Sequence, residues 1–158
     1  MEATALSSLD EKAAIASYMP EGLAWVIDSG CTRHMTYSKE AFLEYTPLHP
    51  PISVSIANGA YIQAIAEGLV KLQVQIDGIV RTVRLSRVLH VPALAGSLIS
   101  VSQLQDRGII TRTVHGKKLL LELQGKVIGV AERVGRTYTL QTANAIAYRA
   151  TISENNEI

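Results

Sequence analysis

Ile52-Ser53-Val54-Ser55-Ile56-Ala57-Asn58-Gly59-Ala60-Tyr61 alternates apolar and small polar residues and then meets Asn-Gly. Strict alternation places every second side chain on one face of a strand. Asn-Gly is the dipeptide most favoured in a two-residue hairpin turn, because both positions tolerate positive φ. Tyr61 to Ala66 then returns as the partner strand. The device recurs directly downstream: Val70, Leu72, Val74 and Ile76 alternate, Asp77-Gly78 turns, and Val80 to Leu89 returns. Two hairpins back to back predict a mostly β fold.

On the C-terminal side, Pro92 ends this run, and Ser100 to Arg107 carries Val101 and Leu104 at helical spacing. Gly108 follows as a C-cap, so one short helix is expected there. Ile109 to Leu140 returns to strand texture, with turns at His115-Gly116, Gln124-Gly125 and Gly135. On the N-terminal side, Leu23 to Ile27 is a short apolar run, a buried strand, followed by a helical turn around Ser38 to Leu43. Pro47, Pro50 and Pro51 are expected to interrupt regular structure. A helix opening at Asp10-Glu11-Lys12 and ending at Pro20 occupies the tail. The expected organisation is a tail or linker at residues 1–22, one domain at 23–142 and a polar tail at 143–158, with about seven to nine strands.

Composition removes several functions. Fifteen basic residues against fourteen acidic ones give a net charge of +1. Phosphate binding needs a clustered positive field, and Arg81, Arg84 and Arg87 are spread along a strand as a solvated face, so no direct nucleic-acid binding is expected. The single cysteine, Cys31, forms no internal disulfide and supplies no cysteine-based zinc site. The four histidines show no ligand spacing, so neither a metal nor another cofactor is expected. Without a basic, apolar leader, or a run near the roughly 18 apolar residues a membrane span needs, the chain is expected to be cytoplasmic.

The chemically loaded feature is Trp25-Val-Ile-Asp-Ser-Gly-Cys-Thr-Arg-His-Met-Thr. An apolar strand runs straight into Asp28, and a carboxylate at the end of a buried strand is costly unless it is hydrogen-bonded, protonated or functional. Gly30 lets the chain turn tightly beside the carboxylate, and Ser29 offers a hydroxyl to brace the turn. Cys31 reads as a small buried filler, His34 as a structural hydrogen-bonding residue and Met35 as core.

This stretch resembles the protease signature of Ty1/copia-type retrotransposons. There a tryptophan and two apolar residues precede Asp-Ser-Gly, then Ala or Cys, Ser or Thr, any residue, and His-Met. Further blocks follow in the family's order: Val54-Ser-Ile-Ala-Asn-Gly, Val88-Leu-His-Val-Pro-Ala-Leu, Leu98-Ile-Ser-Val-Ser-Gln-Leu, and finally Gly125-Lys-Val-Ile-Gly with Arg136-Thr-Tyr-Thr-Leu. The resemblance spans Trp25 to Leu140 and departs at Ser97, where relatives carry Asn. It implies a retropepsin-like closed β-barrel that hydrolyses peptide bonds, with Asp28 catalytic and Ser29 and Gly30 supporting its turn. It also implies that Ala57, Asn58 and Gly59 form a flap over a bound peptide, the substrate being the element's own Gag–Pol polyprotein, with a setting inside virus-like particles.

Aspartic proteolysis requires two carboxylates that share a proton. The other aspartates are Asp10 in the tail, Asp77 in a hairpin turn and Asp106 beside the helix end, and no second Asp-Ser/Thr-Gly occurs. One chain therefore lacks the pair, and a homodimer contributing Asp28 twice would supply it. The alternative is a domesticated, proteolytically inactive barrel that binds a protein or a small molecule.

Overall fold

A computed structural model describes residues 2–4, 24–56 and 59–143, the first of these segments as backbone only. The expected helix between Asp10 and Pro20, residues Ala57 and Asn58, and nearly all of the C-terminal tail lie outside the described residues. Within them the chain forms eleven strands, a single turn of 3-10 helix and one α-helix.

The strands are β1 (Glu2–Thr4), β2 (Trp25–Asp28), β3 (Met35–Thr36), β4 (Phe42–Ser55), β5 (Tyr61–Ile76) and β6 (Ile79–His90). They continue as β7 (Ser97–Ser100), β8 (Ile109–Val114), β9 (Lys118–Leu123), β10 (Lys126–Val134) and β11 (Thr137–Leu140). The helix α1 (Val101–Asp106) follows β7 without a break, and the 3-10 turn at Lys39–Ala41 sits where the helical turn was expected. All eleven strands join one sheet in the order β1-β4-β5-β6-β3-β7-β2-β11-β10-β9-β8. That order is linear, with β1 and β8 at its ends, so the closed barrel expected from the resemblance is replaced by an open sheet. The sheet does curl: Val74 of β5 bridges Thr142, and the Gln75 amide donates to the Gln141 carbonyl at 2.9 Å.

Both predicted hairpins form, and β5 serves both, pairing with β4 at one end and β6 at the other. The two-residue turn expected at Asn58-Gly59 is not what closes the first: Ser55 pairs with Tyr61 and the Ile56 N–H donates to the Ala60 carbonyl at 3.0 Å, which leaves three residues in the connection. Asp77 and Gly78 take φ of 51° and 78°, the left-handed pair that a two-residue turn needs between Ile76 and Ile79. The expectation for the prolines is overturned. Strand β4 runs through Pro47, Pro50 and Pro51, and its register jumps from Pro47↔Ala66 to Ile52↔Ala64. Residues 48–51 bulge out of the ladder, and β1 covers only Ser53–Ser55. Proline lacks an N–H, and a bulge on a largely uncovered edge demands none. The strand count exceeds seven to nine because strands as short as β1 and β3 leave no periodic trace.

The centre of the sheet explains why Trp25–Ile27 reads as a continuous apolar run. Strands β2 and β7 pair in parallel, and every residue of both is buried. Trp25, Ile27 and Ile99 face one core with Val70, Val74, Leu104, Leu121 and Leu140. Val26 and Leu98 face a second core with Cys31, Met35, Val54, Leu89 and Val91. Parallel strands covered on both faces carry no alternation. Conversely, the polar Thr111-Arg112-Thr113 belongs to β8, an end strand, where Arg112 pairs with Glu122 at 2.6 Å.

Gly68 marks a close approach: a Cβ there would lie 1.8 Å from the Glu44 carbonyl oxygen. Gly68→Ala is expected to lower unfolding stability by at least about 2 kcal/mol in denaturant titration, since backbone must move. Gly59→Ala, with open space but φ +81°, should cost only about 1 kcal/mol. Equal losses would show that β4 yields freely at Gly68.

Candidate functional site

Asp28 ends β2 with its side chain only 4 % exposed. A carboxyl group so placed needs hydrogen bonds to offset lost hydration. The turn supplies one at once: the Gly30 N–H donates to Asp28 Oδ1 at 2.8 Å. Cys31, 1 % exposed within the second core, turns its Sγ back to the Asp28 carbonyl at 3.7 Å. It is the small buried filler the sequence suggested.

The brace for this turn comes from β7. In the parallel register Asp28 stands opposite Ser100, the last residue of β7 and the N-cap of α1. Ser100 is fully buried, and its hydroxyl donates to the Cys31 carbonyl at 2.7 Å while accepting the Gln103 N–H at 3.1 Å. One hydroxyl thus holds the aspartate turn and caps the helix. Ser29, expected to brace the turn, is exposed. The bracing residue missed by sequence reading is Ser100, whose signals were its place before the helical spacing and within the Leu98–Leu104 block.

His34 closes the arrangement. It is 3 % exposed, and its Nδ1 accepts the Ser100 N–H at 2.9 Å, so the imidazole proton sits on Nε2. The structural hydrogen-bonding role read from the sequence is what the geometry shows. Burial, with the Arg33 guanidinium adding to it, lowers the His34 pKa from 6.5 to about 3. Arg33 itself pairs with Glu67 at 3.0 Å.

Ser97, the departure from the expected Asn, is buried and shares a 2.7 Å hydrogen bond between its Oγ and Thr36 Oγ1, which joins β7 to β3. Arg81, Arg84 and Arg87 are exposed along β6, as a solvated face would be. Asp77 and Asp106 are also exposed. Among the described residues no group of three or more His, Cys, Asp or Glu side chains is arranged to hold a metal ion.

Of the predicted site residues, the structure unites Asp28, Ser29 and Gly30 in one turn. Gly59 does not join them: it stands at a hairpin tip, donating to the Ile56 carbonyl at 3.0 Å, with nothing within 4 Å of an added Cβ. Its expected flap partners Ala57 and Asn58 lie outside the described residues.

Residues 25–109 match a family described as "Pol polyprotein, beta-barrel domain". No solved structure gives a significant match to the chain.

The folded chain resists protonating His34, whereas the unfolded chain accepts that proton near pH 6.5. Stability from this group is therefore complete above that pH and is lost as pH falls toward 3. His34→Asn keeps an oxygen acceptor near the Nδ1 position without a titrating ring. Unfolding measured from pH 7 to 4 should show a markedly shallower acid loss in this variant. A slope equal to wild type would remove His34 as its source.

Proposed function

The chain belongs to the family of Pol polyprotein β-barrel domains, and from that premise we propose that residues 23–142 form the aspartic endopeptidase of a copia-type retroelement polyprotein. The observation that carries this reading is the Asp28 turn, a buried carboxyl at the end of a central strand, bonded to Gly30 and held by Ser100. Structural economy alone does not call for an acid at this position, because each of its neighbours in β2 is apolar and buried.

The shared-proton carboxylate pair is the long-known chemistry of aspartic proteases. One acid activates water while the other donates a hydrogen bond to the scissile carbonyl. In this proposal two copies meet about a two-fold axis, each supplying Asp28, and the substrate lies extended between the pair and the Ala57-Asn58-Gly59 loops. The substrate is a polypeptide, the element's own Gag–Pol product, processed in the cytoplasm or within virus-like particles. Dimer formation must also open a route to Asp28, which is 4 % exposed in the single chain.

That burial favours a second reading: a Pol-derived domain that keeps the fold without cleaving and binds a protein or small molecule instead. Light scattering after size exclusion, followed by digestion of a mixed peptide library read by mass spectrometry, separates the two. The protease reading expects a dimer whose cleavage falls by at least about a thousandfold in Asp28→Asn with the fold unchanged. A stable monomer without activity would leave the binding module.

A further inference from the structure

Between Gly68↔Val88 and Val70↔Leu85 the β5–β6 register shifts, setting Ser86 and Arg87 of β6 opposite Leu69 alone. This is a β-bulge, and it takes backbone groups out of the ladder. Arg87 adopts φ of 57°, a left-handed conformation that costs a side-chain-bearing residue of order 1 kcal/mol. Such strain persists where surrounding contacts demand it. The contacts here are specific. Gln103 Nε2, on α1, donates to both the Ser86 and Arg87 carbonyls at 3.1 Å. Arg33 Nη2 donates to the same Arg87 carbonyl at 3.0 Å. Arg107 reaches the Ser86 hydroxyl from the end of α1.

The other end of the Gln103 amide faces the candidate site. Its Oε1 accepts the His34 N–H at 2.7 Å. His34 in turn accepts from the Ser100 amide, and Ser100 holds the Cys31 carbonyl. All three amide contacts of one side chain are therefore spent joining the bulge, the helix and the Asp28 loop.

We propose that Gln103 is a positioning residue that clamps residues 29–34 to the β6 bulge and so fixes the Asp28 carboxyl, a role that rests on the protease reading for its use in catalysis. It acts through His34 and Ser100 and touches no substrate. The bulge supplies two carbonyls on one side, and a primary amide of this length spans from them to the His34 amide. Leucine or methionine would fill the space without the contacts, and glutamate would keep only the acceptor.

Gln103→Met and Gln103→Glu test this by amide hydrogen exchange and steady-state cleavage of the same peptide library. The diagnostic amide is Gly30, because it bonds Asp28 Oδ1 and Gln103 does not contact it. In Gln103→Met, Gly30 exchange should quicken by about tenfold or more while β9 and β10 amides keep wild-type rates. Gln103→Glu should preserve His34 amide protection. If wild type cleaves, kcat should drop with KM nearly unchanged in Gln103→Met. An unchanged Gly30 rate, or equal quickening across all strands, overturns the clamp whether or not cleavage is seen. Loss of Gly30 protection in a chain that never cleaves leaves the clamp standing and removes the protease reading.

Discussion

The parallel pairing of β2 with β7 is the constraint on which the rest of this molecule depends. It runs in register from Trp25↔Ser97 to Asp28↔Ser100, and so fixes both what is buried and what is held at the strand end. Three apolar residues of β2 divide between two cores, and the fourth residue is an acid. Burying an aliphatic side chain contributes roughly 1.5–3 kcal/mol, so the pair anchors the sheet from both faces. The acid arrives at a fixed address because the apolar residues before it cannot shift by one position without exchanging cores.

The segment matching the Pol family stops at residue 109, yet β2 gains its other neighbour from β11, which pairs Tyr138↔Ile27 and Thr139↔Val26. The strand that carries Asp28 is thus enclosed by β7 from within the matched segment and by β11 from beyond it. The Gln75–Gln141 contact and the Gln141 N–H to Val130 carbonyl bond, 2.7 Å, tie this C-terminal group back onto β5 and β10. The match describes the part with the aspartate, but its sheet is completed by the four strands that follow.

Around the site, polar groups are buried as a connected set. Ser100, His34 and Asp28 are each under 5 % exposed, and each has a named hydrogen bond. Connected buried networks specify one geometry, because an unmatched donor or acceptor there is costly. A neutral imidazole is part of that specification: as an acceptor at Nδ1 it suits the Ser100 N–H, and a protonated ring would not. The arrangement accordingly favours a rigid aspartate turn.

Much of the architecture was legible in the chain. Alternation at Ile52–Ile56 and Val70–Ile76, with Asn-Gly and Asp-Gly after them, determined the hairpins, because period-two patterns and positive-φ turns are local properties. The apolar run into Asp28-Ser29-Gly30 marked the candidate acid, and the spacing up to Gly108 marked the helix. Tertiary structure alone decided that β4 would pass its prolines, since a bulge and an uncovered edge are needed to dispense with their N–H groups. It alone left the sheet open, because closure depends on how distant edges meet. It also chose Ser100 rather than Ser29 as the brace and set Gln103 against the β6 bulge. Those contacts join residues 16 to 69 positions apart, and no local pattern records a partner that distant.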